Sequence, residues 1–382
     1  MVSVAAQLPP PTQIEKHLQI NFGPQHPSTH GVLRLKVVLD GEIVERVEPV
    51  IGYLHRGSEK LAEDGTYLQW IPYTDRLDYL AAMHNNWAWV QAAEKLLGTK
   101  IPDRGEALRV IAAELNRIAS HQVWLGTFGL DIGALTPFFW CLHDREIVLG
   151  LLEEMCGARL TYSYFRFGGV RRDVGQEFLL RARRYVAYQK GRIEEYNNLL
   201  RDNDIFLLRT QGVGRLPLSL AKEYGVTGPA ARASGLDWDQ RRDEPYGMYD
   251  RLDFDVPTRP DGDCFARYDV RIEEMRQSCR ILEQVLETVP EGPYVAPEIG
   301  ERAKQNRVKP PKGEVYARIE GARGEYGVLL LSDGTNKPYR VKWRAPTFSN
   351  LSVLPAIAPG LKIPDLIATL GSIDIVLGDI DR

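Results

Sequence analysis

The order of apolar and polar positions divides the chain into a strand-like beginning, a long helical middle and a strand-like return. Residues 18–22 and 32–39 are rich in apolar, strand-forming residues. Asp40-Gly41 then separates them from residues 42–47, where polarity alternates. Asp-Gly between two such runs is a strong hairpin signal, so residues 18–50 predict a small antiparallel sheet. From about residue 58 to 210 the spacing becomes helical. Residues 77–97 stop at Gly98. In residues 104–124, Leu108, Ile111, Leu115 and Ile118 recur on one face behind Pro102-Asp103. Residues 142–155 end at Gly157. Residues 174–200 carry Glu177, Arg181, Arg192 and Glu195, the signature of a solvated helix face. A last long helix is predicted over 267–289, closed by Pro290 and Gly292. Residues 290–312 are Pro- and Lys-rich and read as a loop. Strands are predicted again at 315–319, 327–331 and 339–343, separated by turn residues at 321–324 and 332–337. The layout predicts an α+β protein: an arm over 1–16, an antiparallel β segment over 17–57, a helical core over 58–290, a loop over 291–312, and a β segment with tail over 313–382.

Composition narrows the function classes. With 44% hydrophobic and 26% charged residues, the 382-residue chain has the make-up of a soluble globular protein with a large core. A net charge of −3 offers no basic surface for nucleic acid or anionic lipid. No run approaches the about 20 apolar residues that span a bilayer. Residues 1–11 lack the basic-then-apolar order of a signal peptide. The four cysteines, Cys141, Cys156, Cys264 and Cys279, are scattered, with no Cys-x-x-Cys pair. That spacing speaks for a reducing compartment, and against a disulfide framework or an iron–sulfur cluster held by this chain alone.

The densest candidate chemistry is the loop Gly23-Pro24-Gln25-His26-Pro27-Ser28-Thr29-His30-Gly31, which holds two of the seven histidines. A rigid turn carrying imidazoles suits proton transfer or metal ligation. Proline and glycine between strands are also ordinary hairpin punctuation, and the local pattern leaves both open. His26 and His30 would share a face only on a helix, and Pro27 pushes His26 toward extended geometry, which speaks against a helical zinc pair. Three further segments are richer in Gly, Pro, His, Asp and Arg than packing requires: Ile51 to Lys60, Tyr73 to Leu80 and Leu130 to Phe139. So is the stretch 371–382. Singly, each reads as a helix cap or a salt bridge.

In order and wording, these segments together closely resemble one family: the quinone-site, hydrogenase-like subunit of respiratory complex I, the NADH:quinone oxidoreductase. The likeness runs from about Leu18 to Arg382 and takes in Gly168-Gly169-Val170, Arg232-Ala233-Ser234-Gly235, Glu274-Met275-Arg276 and Ser332-Asp333-Gly334. It implies a fold like the large subunit of nickel–iron hydrogenases, a central helical bundle with small antiparallel sheet segments at both ends. Those enzymes hold their metals with two Cys-x-x-Cys pairs. Here Asp75-Arg76 and Asp374 are kept, but the four cysteine positions carry Asp78, Ala81, Val376 and Asp379. Alkyl side chains cannot ligate nickel. The resemblance therefore implies a cavity given over to a quinone headgroup.

Residue roles carry over by matching position. His30 resembles the histidine that hydrogen-bonds one quinone carbonyl, Tyr79 the tyrosine that meets the other, and Asp131 the carboxylate paired with that histidine. His26 is left a shaping or secondary role in the quinone pocket. A histidine titrating near neutrality and a phenol are both donors for the two protons that quinone reduction consumes. Arg56 and Arg76 resemble two arginines near a terminal [4Fe–4S] cluster ligated by a neighbouring iron–sulfur subunit. Without the resemblance, Arg56 would be read as a partner of Glu59, and Arg76 as a partner of Asp75 or Asp78. Many relatives have a histidine where this chain has Thr161, and threonine does not titrate, so a weaker pH dependence of that cluster is expected. The segment 292–312 is shorter than in many relatives. The resemblance implies a peripheral subunit of a proton-pumping NADH:quinone oxidoreductase, on the cytoplasmic side of the inner membrane. Its expected partners are that iron–sulfur subunit, other peripheral-arm subunits and a membrane-arm subunit at the quinone channel. The expected substrate is quinone, with no cofactor ligated by this chain. A ferredoxin-fed photosynthetic plastoquinone reductase subunit shares these motifs. An energy-converting hydrogenase subunit would need the missing cysteines, and a scaffold without chemistry would not require His30, Tyr79 and Asp131 together.

Overall fold

A computed structural model describes residues 17–23 and 31–382. The first sheet is antiparallel in the order β1 (His17–Phe22), β2 (Arg34–Asp40), β3 (Ile43–Val50). Leu35, Val37 and Leu39 point inward at every second position of β2, as a sheet with one covered face requires. The Asp40-Gly41 hairpin forms as expected, with Ile43 opposite Asp40.

The helical middle begins with α1 (Ser58–Asp64), α2 (Tyr67–Thr74), α3 (Ala82–Leu97), α4 (Asp103–Asp131) and α5 (Leu135–Cys156). Thr66 and Gln69 form a reciprocal capping box that starts α2. The helix expected from residue 77 starts only at Ala82, because residues 75–81 form a turn built on the Asp78 side chain. A two-stranded ribbon, β4 (Phe165–Arg166) with β5 (Gly169–Val170), leads into α6 (Gln176–Leu200). Short helices follow: α7 (Asp204–Thr210), α8 (Leu218–Glu223), α9 (Pro229–Arg232) and α10 (Gln240–Asp243). The long α11 (Cys264–Glu287) closes the bundle, with α4 packed between α5 and α11. Trp70, Trp89 and Trp343 meet edge to face in its core.

Two expectations are corrected. The stretch read as a loop contains α12 (Pro297–Lys304), started by a proline at its first turn. The second sheet, β6 (Gly313–Gly321), β7 (Gly324–Ser332) and β8 (Pro338–Arg344), has the expected meander, but the chain beyond it is helical rather than a tail. It comprises α13 (Pro346–Ser352), α14 (Leu354–Ile357), α15 (Ile363–Ile373) and α16 (Leu377–Asp381). These helices are short and mostly buried, so no solvated face marks them in the sequence. They share a second core with the first sheet: Val37, Val44 and Val47 pack with Leu354, Leu366, Leu370 and Ile380. Backbone bonds between Val44 and residues 360 and 361 join the two ends of the chain.

Candidate functional site

The turn 75–81 is where the candidate residues gather. Asp78 Oδ1 accepts from the amides of Leu80 and Ala81, both at 3.1 Å, and Asn85 Nδ2 donates to the Asp78 carbonyl at 3.1 Å. This pins the turn and leaves Tyr79 37% exposed while Leu77 and Asp78 before it are buried. Tyr79 lines a cavity of about 40 Å³ with Trp124, Gly371, Asp374 and Val376. Burial, and then the charge of Asp78, hold its phenol above the ordinary pKa, so it enters any reaction protonated.

Asp131, the last residue of α4, approaches α15 at Gly371. A Cβ on Gly371 would lie 2.6 Å from Asp131 Oδ2, so only a residue without a side chain lets that carboxylate approach α15. Trp124 Nε1 donates to the Gly371 carbonyl at 2.9 Å and fixes the contact. Tyr79 and Asp131, 52 residues apart in sequence, therefore both adjoin Gly371. His26 and His30 lie outside the described residues.

Arg56 and Arg76 form a second grouping, to which the segment of Thr161 is tied through Ser163 and Asp75. Arg56 Nη2 donates to the Arg76 carbonyl at 2.7 Å, and both side chains are exposed. Neither makes the pairing that simple salt-bridge reasoning expects. Glu59 instead accepts from the Trp343 amide and lies near Lys342 and Arg382, while Arg76 donates to the Pro72 carbonyl. Thr161 and Ser163 have positive φ, 53° and 45°, a strained geometry for non-glycine residues. That kink directs the Ser163 amide to Asp75 Oδ1 at 3.2 Å. Asp75 is buried, its Oδ2 has no hydrogen-bond partner among the described residues, and burial pushes its carboxyl up to about 7 against weaker opposing hydrogen bonds and charges.

The four positions that match metal-binding cysteines converge. Gly378 presses on the turn so closely that a Cβ there would lie 2.5 Å from the Leu77 carbonyl oxygen. Asp78 Oδ2 accepts from Arg323 at 2.8 Å and from the Tyr326 hydroxyl, and Arg323 also donates to Asp374 Oδ1 at 2.9 Å. Ala81 and Val376 are buried and apolar. A nickel centre does not fit this set, which offers no thiolate and has the Arg323 guanidinium bound to one of its two carboxylates. Among the described residues, no group of three or more His, Cys, Asp or Glu is arranged to hold a metal ion. All four cysteines are buried and unpaired by disulfide.

Sequence reasoning missed a buried ionic ladder behind the site. Glu274 on α11 binds Arg232 at 2.5 Å and His121 at 3.0 Å, and Arg232 binds Glu320 at 2.8 Å. Glu114 on α4 binds Arg117 and Arg241, each at 3.2 Å. Burial alone would raise the carboxyl of Glu274, but the charge of Arg232 together with His121 and Arg117 outweighs it and holds the group well below the usual range. The signal was in the spacing: Glu114, Arg117 and His121 share a face of α4, and Arg267, Arg271, Glu274 and Ser278 share one of α11. His55 was also passed over; its Nδ1 donates to the Asp381 carbonyl at 2.6 Å, while the Asp381 carboxylate accepts from the amides of Gly52 and Leu54.

Comparison with known proteins gives this geometry a family. The profile described as "Respiratory-chain NADH dehydrogenase, 49 Kd subunit" matches residues 131–382. The D subunit of the NADH-quinone oxidoreductase of Dehalococcoides mccartyi is 52% identical over 366 residues, 95% of this chain and 98% of that protein. Its counterparts in Geobacillus kaustophilus and Clostridium beijerinckii are each 49% identical, over 95% and 96% of this chain and 97% and 98% of theirs. The site thus lies in an oxidoreductase subunit. The chain belongs to the family of the 49 Kd subunit of respiratory-chain NADH dehydrogenase, which is the D subunit of NADH-quinone oxidoreductase. Among the described residues, no helix is long and apolar enough to cross a membrane.

Proposed function

We propose that this chain forms the quinone-reduction site of a proton-pumping NADH:quinone oxidoreductase together with a neighbouring iron–sulfur subunit. The observation that carries the reading is Tyr79: a half-exposed phenol, held protonated, on a cavity wall shared through Gly371 with Asp131. As electrons reach the quinone, Tyr79 donates a proton to one oxygen and His30 to the other. Asp131 holds the charge and tautomer of His30. His26 shapes the same pocket.

Arg56 and Arg76 present two permanent positive charges on one exposed face, which favours reduction of a partner-held [4Fe–4S] cluster brought against it. Thr161 belongs to the segment that Ser163 ties to Asp75, the neighbour of Arg76. The cavity beside Tyr79 is too small for a quinone ring, so the pocket is completed by partner surfaces: the iron–sulfur subunit, other peripheral-arm subunits, and a membrane-arm subunit through which the tail enters. The chain then sits as a peripheral subunit on the cytoplasmic side of the inner membrane. NADH is the ultimate donor in the relatives' names.

Replacing Tyr79 with Phe in the assembled complex tests the assignment. The partner cluster should still be reduced by NADH, while quinone reduction falls on the order of 10²-fold, the contribution of one positioned proton donor. Normal quinone turnover in that variant would refute the role of Tyr79.

A further inference from the structure

Arg56 stands in a stretch that no helix or strand supports. Residues 51–57 lie between β3 and α1, and most of them are exposed. Fixing each backbone unit costs conformational entropy, so a loop of that kind keeps one conformation only where other segments hold it. Within it the His55 amide closes a turn on the Gly52 carbonyl at 3.1 Å. The remaining hold comes from far away in the chain.

The holding group is Asp381. Its carboxylate accepts from the Gly52 amide at 2.8 Å and from the Leu54 amide at 2.7 Å, 329 and 327 positions away in sequence. His55 Nδ1 donates to the Asp381 carbonyl at 2.6 Å; a carbonyl only accepts, so the ring carries its proton on that nitrogen. Asp381 is buried, and bonds from amides to an ionised carboxylate are among the strong ones. Beyond Arg56, Glu59 in α1 pairs with Arg382 at 3.4 Å. Residues 381 and 382 thus hold the chain before and after Arg56. Through α16 they reach Arg76 as well. Gly378 lies against the turn, where a Cβ would stand 2.5 Å from the Leu77 carbonyl oxygen and 3.2 Å from that of Arg76. The Arg76 oxygen is the one that accepts from Arg56. α16 is itself anchored. Thr347 on α13 donates to Asp379, the Arg382 guanidinium lies 5.0 Å from the ring centre of Phe348, and Leu377 and Ile380 belong to the second core.

We propose that Asp381 is a positioning residue: with α16 it clasps the loop before Arg56 onto the turn that carries Arg76, and so fixes where the two guanidiniums stand relative to the partner-held cluster. The effect on the cluster rests on the function proposed above for Arg56 and Arg76; the clasp itself does not. A charge acts on a nearby redox centre in inverse proportion to its distance, so its place counts as well as its presence. Asp381 touches neither guanidinium and acts through the backbone of residues 52–55 alone. When the clasp opens, Arg56 leaves the Arg76 carbonyl, its charge moves out into solvent, and the oxidised cluster is favoured.

The test uses the assembled complex with Asp381→Ala, which removes both side-chain acceptors, and Asp381→Asn, which keeps one. Hydrogen exchange of the peptide spanning residues 51–57 should quicken on the order of tenfold in Asp381→Ala, the worth of a bond to a charged group, and less in Asp381→Asn. Unchanged exchange overturns the clasp. In a redox titration, the equilibrium constant for reducing the partner's cluster should fall roughly twofold in Asp381→Ala, as for one charge withdrawn to about double its distance. A role in folding alone would lower the amount of complex and leave that midpoint in place, and such a result overturns the positioning role. In an Arg56→Gln background the shift from Asp381→Ala should shrink, because the charge it places is gone; a shift of full size overturns the route through Arg56. If Arg56→Gln and Arg76→Gln leave the midpoint unmoved, the reading of that face fails and the effect on the cluster with it, while the exchange result still decides the clasp. Should the Asp381 variants not assemble, His55→Phe removes one donor to residue 381. Faster exchange at residues 51–57 is then expected, and no change overturns the proposal.

Discussion

Arg56 donates a hydrogen bond to the carbonyl oxygen of Arg76 at 2.7 Å, so two residues twenty positions apart in sequence share one exposed face. Each guanidinium keeps its charge at any working pH. Replacing Arg76 with Gln is expected to make reduction of the partner's cluster less favourable by about 1 kcal/mol, the worth of one charge at close range near water. A redox titration that finds the midpoint unmoved would separate this face from the cluster.

The pH dependence of that cluster is the second expectation. Thr161 does not titrate, but Asp75, which accepts from the amide of Ser163 two residues on, has its carboxyl pushed up to about 7 by burial. Proton linkage at the cluster should therefore be weaker than with a histidine at 161, and what remains should vanish in Asp75→Asn but persist in Thr161→Val. The native state binds the Asp75 proton more tightly than the unfolded chain, whose aspartates titrate near about 3.9. Stability from this group is thus full at acid pH and declines as pH rises through about 7. Midpoints of thermal unfolding measured on both sides of neutrality should differ less in Asp75→Asn than in the native complex.

Arg232 joins Glu274 and Glu320, all buried. Arg232→Leu strands both carboxylates and is expected to cost about 3–5 kcal/mol, read as a fall in assembled complex and in its unfolding midpoint. Replacing Lys60, whose pairing with Glu63 is largely exposed, should change neither.

Gly371→Ala places a methyl 2.6 Å from Asp131 Oδ2. The carboxylate is the movable party, so the expected loss falls on quinone reduction, roughly tenfold for a misplaced group near the chemistry, with cluster reduction by NADH unchanged. Equal losses of both activities would mean that the contact serves folding alone.

The helices α4, α6 and α11 and both meanders were legible because apolar residues recur in them at a regular period; α5 (Leu135–Cys156) has no such stripe, and its first turns were not read as helix. The same rule hid the rest. Helices α13 to α16 are mostly buried and carry no polar stripe, and the Pro- and Lys-rich composition around Pro297 masks a two-turn helix. Of the candidate residues, Tyr79, Asp131, Arg56, Arg76 and Thr161 stood in segments whose wording marked them out. Arg323, Glu274 and Asp379 did not act as signals in the same way. Charge is assigned by default to solvent, and only the packing of distant segments reveals that these charges face one another. Asp379 was noticed solely as a missing cysteine.

The second core has a consequence for the chain's birth. The covered face of the first sheet, Val37, Val44 and Val47, finds its partners in residues 354–380. Until those residues leave the ribosome, three strands made long before them lack these apolar partners, and long-range contacts of this kind form slowly and invite aggregation. The first sheet and the Tyr79 turn therefore acquire these neighbours only once residues 354–380 have been made, and a holding chaperone or an early-arriving partner has that whole interval in which to act.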